Sequence, residues 1–244
     1  MARLDSPDVL IANPHTFVTA LKHETTTIPI VMTAGSEPVR RGFVTSLARP
    51  EGNVTGVAWF DILPKQMELL KEIVPNLKRV AYIEGGPSPG SEVINIATEI
   101  NTIAASTLGF TWQYFQADVA SDYDEIFARV AAEHFDAAYI PSIPLNRNNQ
   151  ARICQLALRH RIPAVSEVAT WPRAGLLLSY GQDVTWSFAR AMEYVDKILR
   201  GAKPSDLPVE QATKILLTIN LKTAKELGIT IPPSVLARAD EVIE

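Results

Sequence analysis

Ser36 and Glu37, Ser88, Ser142, Glu167 and Tyr180 each close or follow a short apolar run. They lie in Gly35-Ser-Glu-Pro38, Glu84-Gly-Gly-Pro-Ser88, Pro141-Ser-Ile-Pro144, Ser166-Glu167 and Ser179-Tyr-Gly181. In open α/β sheets, ligands sit at the carboxyl ends of strands, where helix N-termini present free N–H groups. The serine hydroxyls suit a carboxylate or hydroxyl, Glu37 suits an ammonium, and Trp171 and Tyr180 can supply an aromatic wall. An alternative stays open at each position: the serines cap helices, Glu37 complements a helix dipole, and Trp171 packs in its loop before Pro172.

Motifs for covalent chemistry are missing. There is no Gly-x-Ser-x-Gly elbow and no Gly-Lys-Ser/Thr phosphate loop. Gly85–Gly90 is glycine-rich but carries two prolines and no lysine. His15, His23, His134 and His160 fall at no metal-ligand spacing, so neither a metal nor a cofactor is expected. Cys154, the sole cysteine, excludes an internal disulfide and reads as a buried helical thiol. Asn53-Val-Thr55 has the glycosylation pattern, but a tight turn into a strand is the plainer reading.

The elements that would position these residues alternate along the chain. Apolar runs at Val9–Ala12, Ile28–Thr33, Val54–Ala58, Val80–Ile83, Thr111–Phe115, Ala137–Ile140, Ile162–Val165 and Leu176–Ser179 read as strands of a parallel sheet covered on both faces. Between them, Ser91–Leu108 carries an apolar stripe ending at Gly109. Ser121 and Asp124 resemble a capping box, and Val184–Arg200 carries Phe188, Met192, Val195 and Leu199 on one face before Gly201. Pro38 suits the first position of a helix after Ile28–Thr33. This alternation predicts a doubly wound α/β architecture.

The 244 residues are enough for two lobes, and 47% of them are apolar. A net charge of −4, without a basic run, argues against a nucleic-acid partner. The sequence predicts lobe 1 over 1–58, lobe 2 over 59–181 with five or six parallel strands, and a return to lobe 1 or the hinge with a C-terminal segment over 182–244. Only two or three strands precede residue 59, too few for a sheet covered on two faces, so lobe 1 reads as incomplete.

Several stretches resemble the substrate-binding proteins of ABC transporters, of the uncharacterised or tryptophan/tyrosine type, with a type I periplasmic-binding fold. They are Thr27-Ile-Pro-Ile-Val31, Glu37-Pro38, Ser46-Leu-Ala-Arg-Pro50, Gly52-Asn-Val-Thr-Gly56, Leu69–Pro75, Arg161-Ile-Pro-Ala164, Gly175–Gly181, Ile198–Pro204, Ile219–Lys225 and Ala237–Asp240. Departures fall at Glu37, where the family carries aspartate, at Gly85–Gly90 and around Ser142. The resemblance implies parallel sheets flanked by helices in two lobes, a small solute (an amino acid or small carboxylate) in an interlobe cleft, and an ABC permease of the bacterial inner membrane as partner. It also implies a periplasmic or lipid-anchored location, although Met1-Ala-Arg-Leu-Asp-Ser-Pro7 lacks the apolar core of a signal peptide.

Set against the family, the sequence reads as starting inside lobe 1, and self-association through that lobe is expected. Ligand contacts are expected at Ser36, Glu37, Ser88, Ser142, Glu167 and Tyr180, with the chain not an enzyme. The alternative is a flavodoxin-like or amidase/racemase-type enzyme in the same crevice. It would need a nucleophile or an acid/base pair at the strand ends, whereas Cys154 lies within a helical stretch.

Overall fold

A computed structural model describes residues 7–13, 15–60, 62–86 and 105–244. The chain forms two compact units, one within residues 1–61 and 182–215, the other within 62–181 and 216–244.

The first unit holds a four-stranded parallel sheet in the order β1 (Leu10–Ala12), β2 (Ile30–Ser36), β3 (Val54–Trp59), β9 (Glu210–Gln211). Alternate residues of β2 face opposite ways, as a strand period of two demands. Ile30 and Met32 pack with Val18 of helix α1 (His15–Glu24), while Val31 packs with Ala191, Tyr194 and Ile198 of helix α7 (Val184–Leu199). Asp183 starts α7 by accepting the Trp186 N–H at 3.1 Å, and Gly201, at φ 99°, follows its end.

The buried face of α7 is Ser187, Ala191, Tyr194 and Ile198, one position from the stripe expected. Phe188 and Met192 are 41% exposed and Leu199 59%. Small Ser187 and Ala191 let the helix approach the sheet, which the bulkier stripe would prevent. No helix follows β2 either. Residues 37–42 form a turn, in which Glu37 adopts φ 50° and the Pro38 carbonyl accepts from Phe43 and Val44.

Among the described residues the second unit carries seven strands, in the order β11-β10-β8-β7-β6-β4-β5. These are β4 (Arg79–Gly85), β5 (Thr111–Ala117), β6 (Ala137–Tyr139), β7 (Ala164–Ser166), β8 (Leu178–Gln182), β10 (Ile215–Asn220) and β11 (Glu241–Ile243). The pairings β4–β5, β4–β6, β6–β7, β7–β8 and β10–β11 are all parallel. Strands β9, β10 and β11 are additions to those expected.

Helix α2 (Leu63–Ile73) covers one face with Met67 and Leu70 against Val80, Tyr139 and Leu178. Helix α8 (Leu221–Leu227) adds Ala224 on the same side. The other face, Ile83, Ala138 and Ala164, packs on Phe127 of α3 (Asp122–Ala132) and Ile153 and Cys154 of α5 (Gln150–Arg159). Short helices α4 (Pro144–Asn148), α6 (Thr170–Arg173) and α9 (Pro233–Leu236) also belong to this unit.

Ser121 precedes α3 without a side-chain capping bond. The expected capping box is replaced by Asp122, whose carboxylate accepts the Asp118 and Val119 N–H groups at 2.9 and 3.0 Å. Of the helix expected over 91–108, residues 105–108 are helical and the rest lie outside the described residues. Gly109 closes it at φ 73°. Asn53 supports its turn directly, donating to the Thr25 and Ile28 carbonyls at 3.1 and 2.8 Å.

Candidate functional site

The polar residues singled out in the sequence divide between the units: Ser36 and Glu37 in the first, Ser142, Glu167 and Tyr180 in the second. Ser88 lies outside the described residues. Trp171 is fully buried in the core beside Cys154 and Leu176, so it forms no wall for a ligand.

In the first unit, Ser36 is the last residue of β2, and its carbonyl accepts Arg41 Nε at 3.1 Å. Glu37 then turns the chain at positive φ, a conformation that costs a non-glycine residue about 1 kcal/mol. A capping role for Ser36 fails because the segment is not helical. Asn13, just beyond β1, donates to Thr33 Oγ1 at 2.6 Å and adds a polar pair near the same strand ends.

In the second unit, two side chains hold the loops beyond β4, β6 and β7. Asn146, fully buried on α4, donates to the Ile83 and Pro141 carbonyls at 2.9 and 2.8 Å and accepts from the Tyr123 hydroxyl. It thereby ties the end of β4 to the chain leaving β6. A Cβ at Gly85 would overlap both the Tyr123 hydroxyl and Asn146, so glycine is required for this close approach.

The second anchor is Glu167. Its Oε1 accepts the Ser142 backbone N–H at 2.6 Å, and its Oε2 accepts the Ser166 hydroxyl at 3.2 Å and the Tyr139 hydroxyl at 3.3 Å. Desolvation pushes the Glu167 carboxyl above the ordinary glutamate range, against the opposing pull of those donors, and no cation contributes. Gly181 of β8 lies directly against the Glu167 carbonyl, where any Cβ would collide.

Ser142 does not cap α4; Ile143 holds the position before that helix. Its backbone is fixed by Glu167, while its hydroxyl oxygen is buried without a hydrogen-bond partner among the described residues. The Tyr180 carbonyl accepts from fully buried Gln66 at 2.6 Å, and the Tyr180 ring packs partly buried against the α2 side of the core. At the end of β4, half-buried Glu84 is pushed up to about 7 by desolvation.

Sequence reasoning singled out Ser142, Glu167 and Tyr180 but missed the side chains around them: Tyr139 donates to Glu167, Asn146 to the Pro141 carbonyl beside Ser142, and Gln66 to the Tyr180 carbonyl. Buried polar side chains need partners, and the signal available for Asn146 was a polar residue just beyond a Pro-Ser-Ile-Pro turn.

Among the described residues this arrangement offers hydrogen bonds in fixed directions and no activated nucleophile. Burial pushes the Cys154 thiol up to about 12, far from the depressed values of reactive thiols. Among the described residues no group of three His, Cys, Asp or Glu side chains is placed to hold a metal.

Residues 2–243 match the family described as ABC transporter substrate binding protein. A curated tyrosine-binding protein of Clostridioides difficile strain R20291 is 24% identical over 227 residues, 92% of this chain and 64% of that protein. The chain thus spans just under two thirds of that relative's length. A conserved domain protein from Vibrio cholerae superposes with a TM-score of 0.87 at 30% identity, over 98% of this chain and 79% of that one. An ABC domain from Streptococcus pneumoniae, in complex with L-Trp, gives 0.85 at 26% identity, over 98% and 80%.

Proposed function

The chain belongs to the ABC transporter substrate binding protein family, and from that premise we propose that it captures a small solute, an amino acid or other small carboxylate, and delivers it to an ABC permease of the inner membrane. Its place of action is then the outer side of that membrane. No described helix is long and apolar enough to cross a membrane.

The observation that carries this reading is Ser142, whose backbone is fixed and whose buried hydroxyl is unpartnered among the described residues. A polar end of the solute completes that hydroxyl's hydrogen bonding. Tyr180 is the aromatic contact of the second unit, and Ser36 and Glu37 are the contacts of the first. An aromatic amino acid is the first solute to test, since the similar proteins include a tyrosine-binding protein and an L-Trp complex.

Isothermal titration calorimetry against the twenty amino acids, with neutral sugars as controls, tests the reading. Saturable one-to-one binding of tryptophan or tyrosine is expected, with the recovered solute chemically unchanged. In Ser142→Ala, loss of one hydrogen bond to a charged group weakens binding by about 10- to 100-fold. Binding of sugars alone, or turnover of the solute, would reject the proposal.

A further inference from the structure

Glu167 departs from the usual treatment of a desolvated carboxylate. Such groups normally pair with a cation, because losing hydration is costly. Here the facing groups are the Ser142 N–H, the residue's own backbone N–H, the Ser166 hydroxyl on β7 and the Tyr139 hydroxyl on β6. β8 contributes only the close approach of Gly181. Among the described residues these neutral donors orient both oxygens and no cation faces them, so the ionised form lacks a counterion.

The residue keeps partial exposure at the carboxyl end of β7, the end of the sheet where ligands bind. A desolvated carboxyl of this kind is drawn to ionise by a cationic group nearby, and the resulting ion contact is far stronger than it would be in bulk water. Once the carboxyl is ionised, its bond to the Ser142 amide is charge-assisted and stronger than the neutral equivalent. Charge selection and the placement of Ser142 therefore depend on the same group.

We propose that Glu167 is the specificity-determining residue of the second unit's strand-end site: a fixed carboxyl that positions Ser142, gains its counterion from the solute, and so makes the site select solutes bearing an ammonium group. In this respect Glu167, rather than Glu37, meets the ammonium. The selection rests on the amino-acid reading above, whereas the hold on Ser142 does not.

The full chain and Glu167→Gln separate the two. The variant is isosteric and keeps an acceptor for the Ser142 amide; a thermal melt confirms that it folds. Without ligand, the Ser142 amide resonance is followed from pH 4.5 to 8.5. In the parent chain it should titrate with an inflection above the ordinary glutamate range, and in Glu167→Gln it should stay flat. A resonance that does not move in the parent, or titrates equally in the variant, would overturn the hold on Ser142.

L-tryptophan and 3-indolepropionic acid, which lacks the ammonium, are then titrated at pH 8. The parent chain should prefer tryptophan, and Glu167→Gln should shrink that preference by about 10-fold, the scale of one lost ion contact in a partly shielded site. A merely structural role would weaken both ligands alike, and an unchanged preference refutes the selection. If neither ligand binds the parent chain, the amino-acid reading and the selection fall together, while the resonance still judges the placement of Ser142.

Discussion

The two units solve the same problem, holding a loop beyond the end of a parallel strand, by different means. In the first, residues 37–42 are shaped chiefly by backbone hydrogen bonds of a turn and a positive φ at Glu37, with Arg41 and Lys22 side chains donating to carbonyls at its two ends. In the second, Asn146 and Glu167 hold the loops from beneath with side chains. A turn made by backbone survives most substitutions, whereas a loop tied to one buried amide depends on that residue. The second unit should therefore be the more brittle and the better preorganised.

The largest test of this contrast is Asn146→Ala. It strands the Ile83 and Pro141 carbonyls and the Tyr123 hydroxyl, and should cost about 3 kcal/mol in urea unfolding. A cost below about 1 kcal/mol would mean that the loop holds itself, as in the first unit.

Next comes Glu84, at the β4 end of the same set of loops. Its folded carboxyl, pushed up to about 7 from an ordinary 4.5, binds a proton more tightly than it does in the unfolded chain. It therefore contributes stability below about pH 4.5 that is lost as pH rises through 7. Allowing for its partial exposure, Glu84→Gln should stabilise the protein by about 1–2 kcal/mol at pH 8, with no gain at pH 4. Equal effects at both pH values in thermal melts would assign the change to packing.

The smallest effect is expected at Glu37. Glu37→Gly relieves a left-handed backbone and should raise stability by about 1 kcal/mol. A gain in melting temperature accompanied by weaker solute binding would show strain kept for function. A loss of stability would show that the Glu37 side chain, and not the backbone, holds the turn.

Much of this contrast was visible in the sequence, but unevenly. Eight of the strands announce themselves as apolar runs because both faces of each sheet are covered. β10 is equally apolar, yet a run of five such as Ile215–Ile219 cannot be told from a buried helical turn by periodicity. β9 has two residues and β11 three, and both exist because a neighbouring strand offers an edge. Helix α7 was found but set one position out of phase, since Phe188 and Met192 outweigh Ser187 and Ala191 by hydrophobicity, while the sheet selects for smallness. At the site, strand-end position marked Ser142 and Glu167. The bonds that hold them in place run between β6, β7 and the loops beyond them, and no local pattern encodes them.

The division of the chain also sets a timetable. The first unit's sheet is begun by β1, β2 and β3, but the helix that covers Val31 and Val57 is α7, made only after residues 62–181 have been synthesised. At about 5–20 residues per second, that sheet waits on the order of 10 s with one apolar face bare. The second unit can assemble β4 to β8 in the meantime, and β10 and β11 extend it at an edge. A nascent chain that has emerged as far as Gln182 should thus carry β4 to β8 of the second unit, still without β10, β11 and α8, and a first unit that chaperones still hold, released only once α7 clears the ribosome.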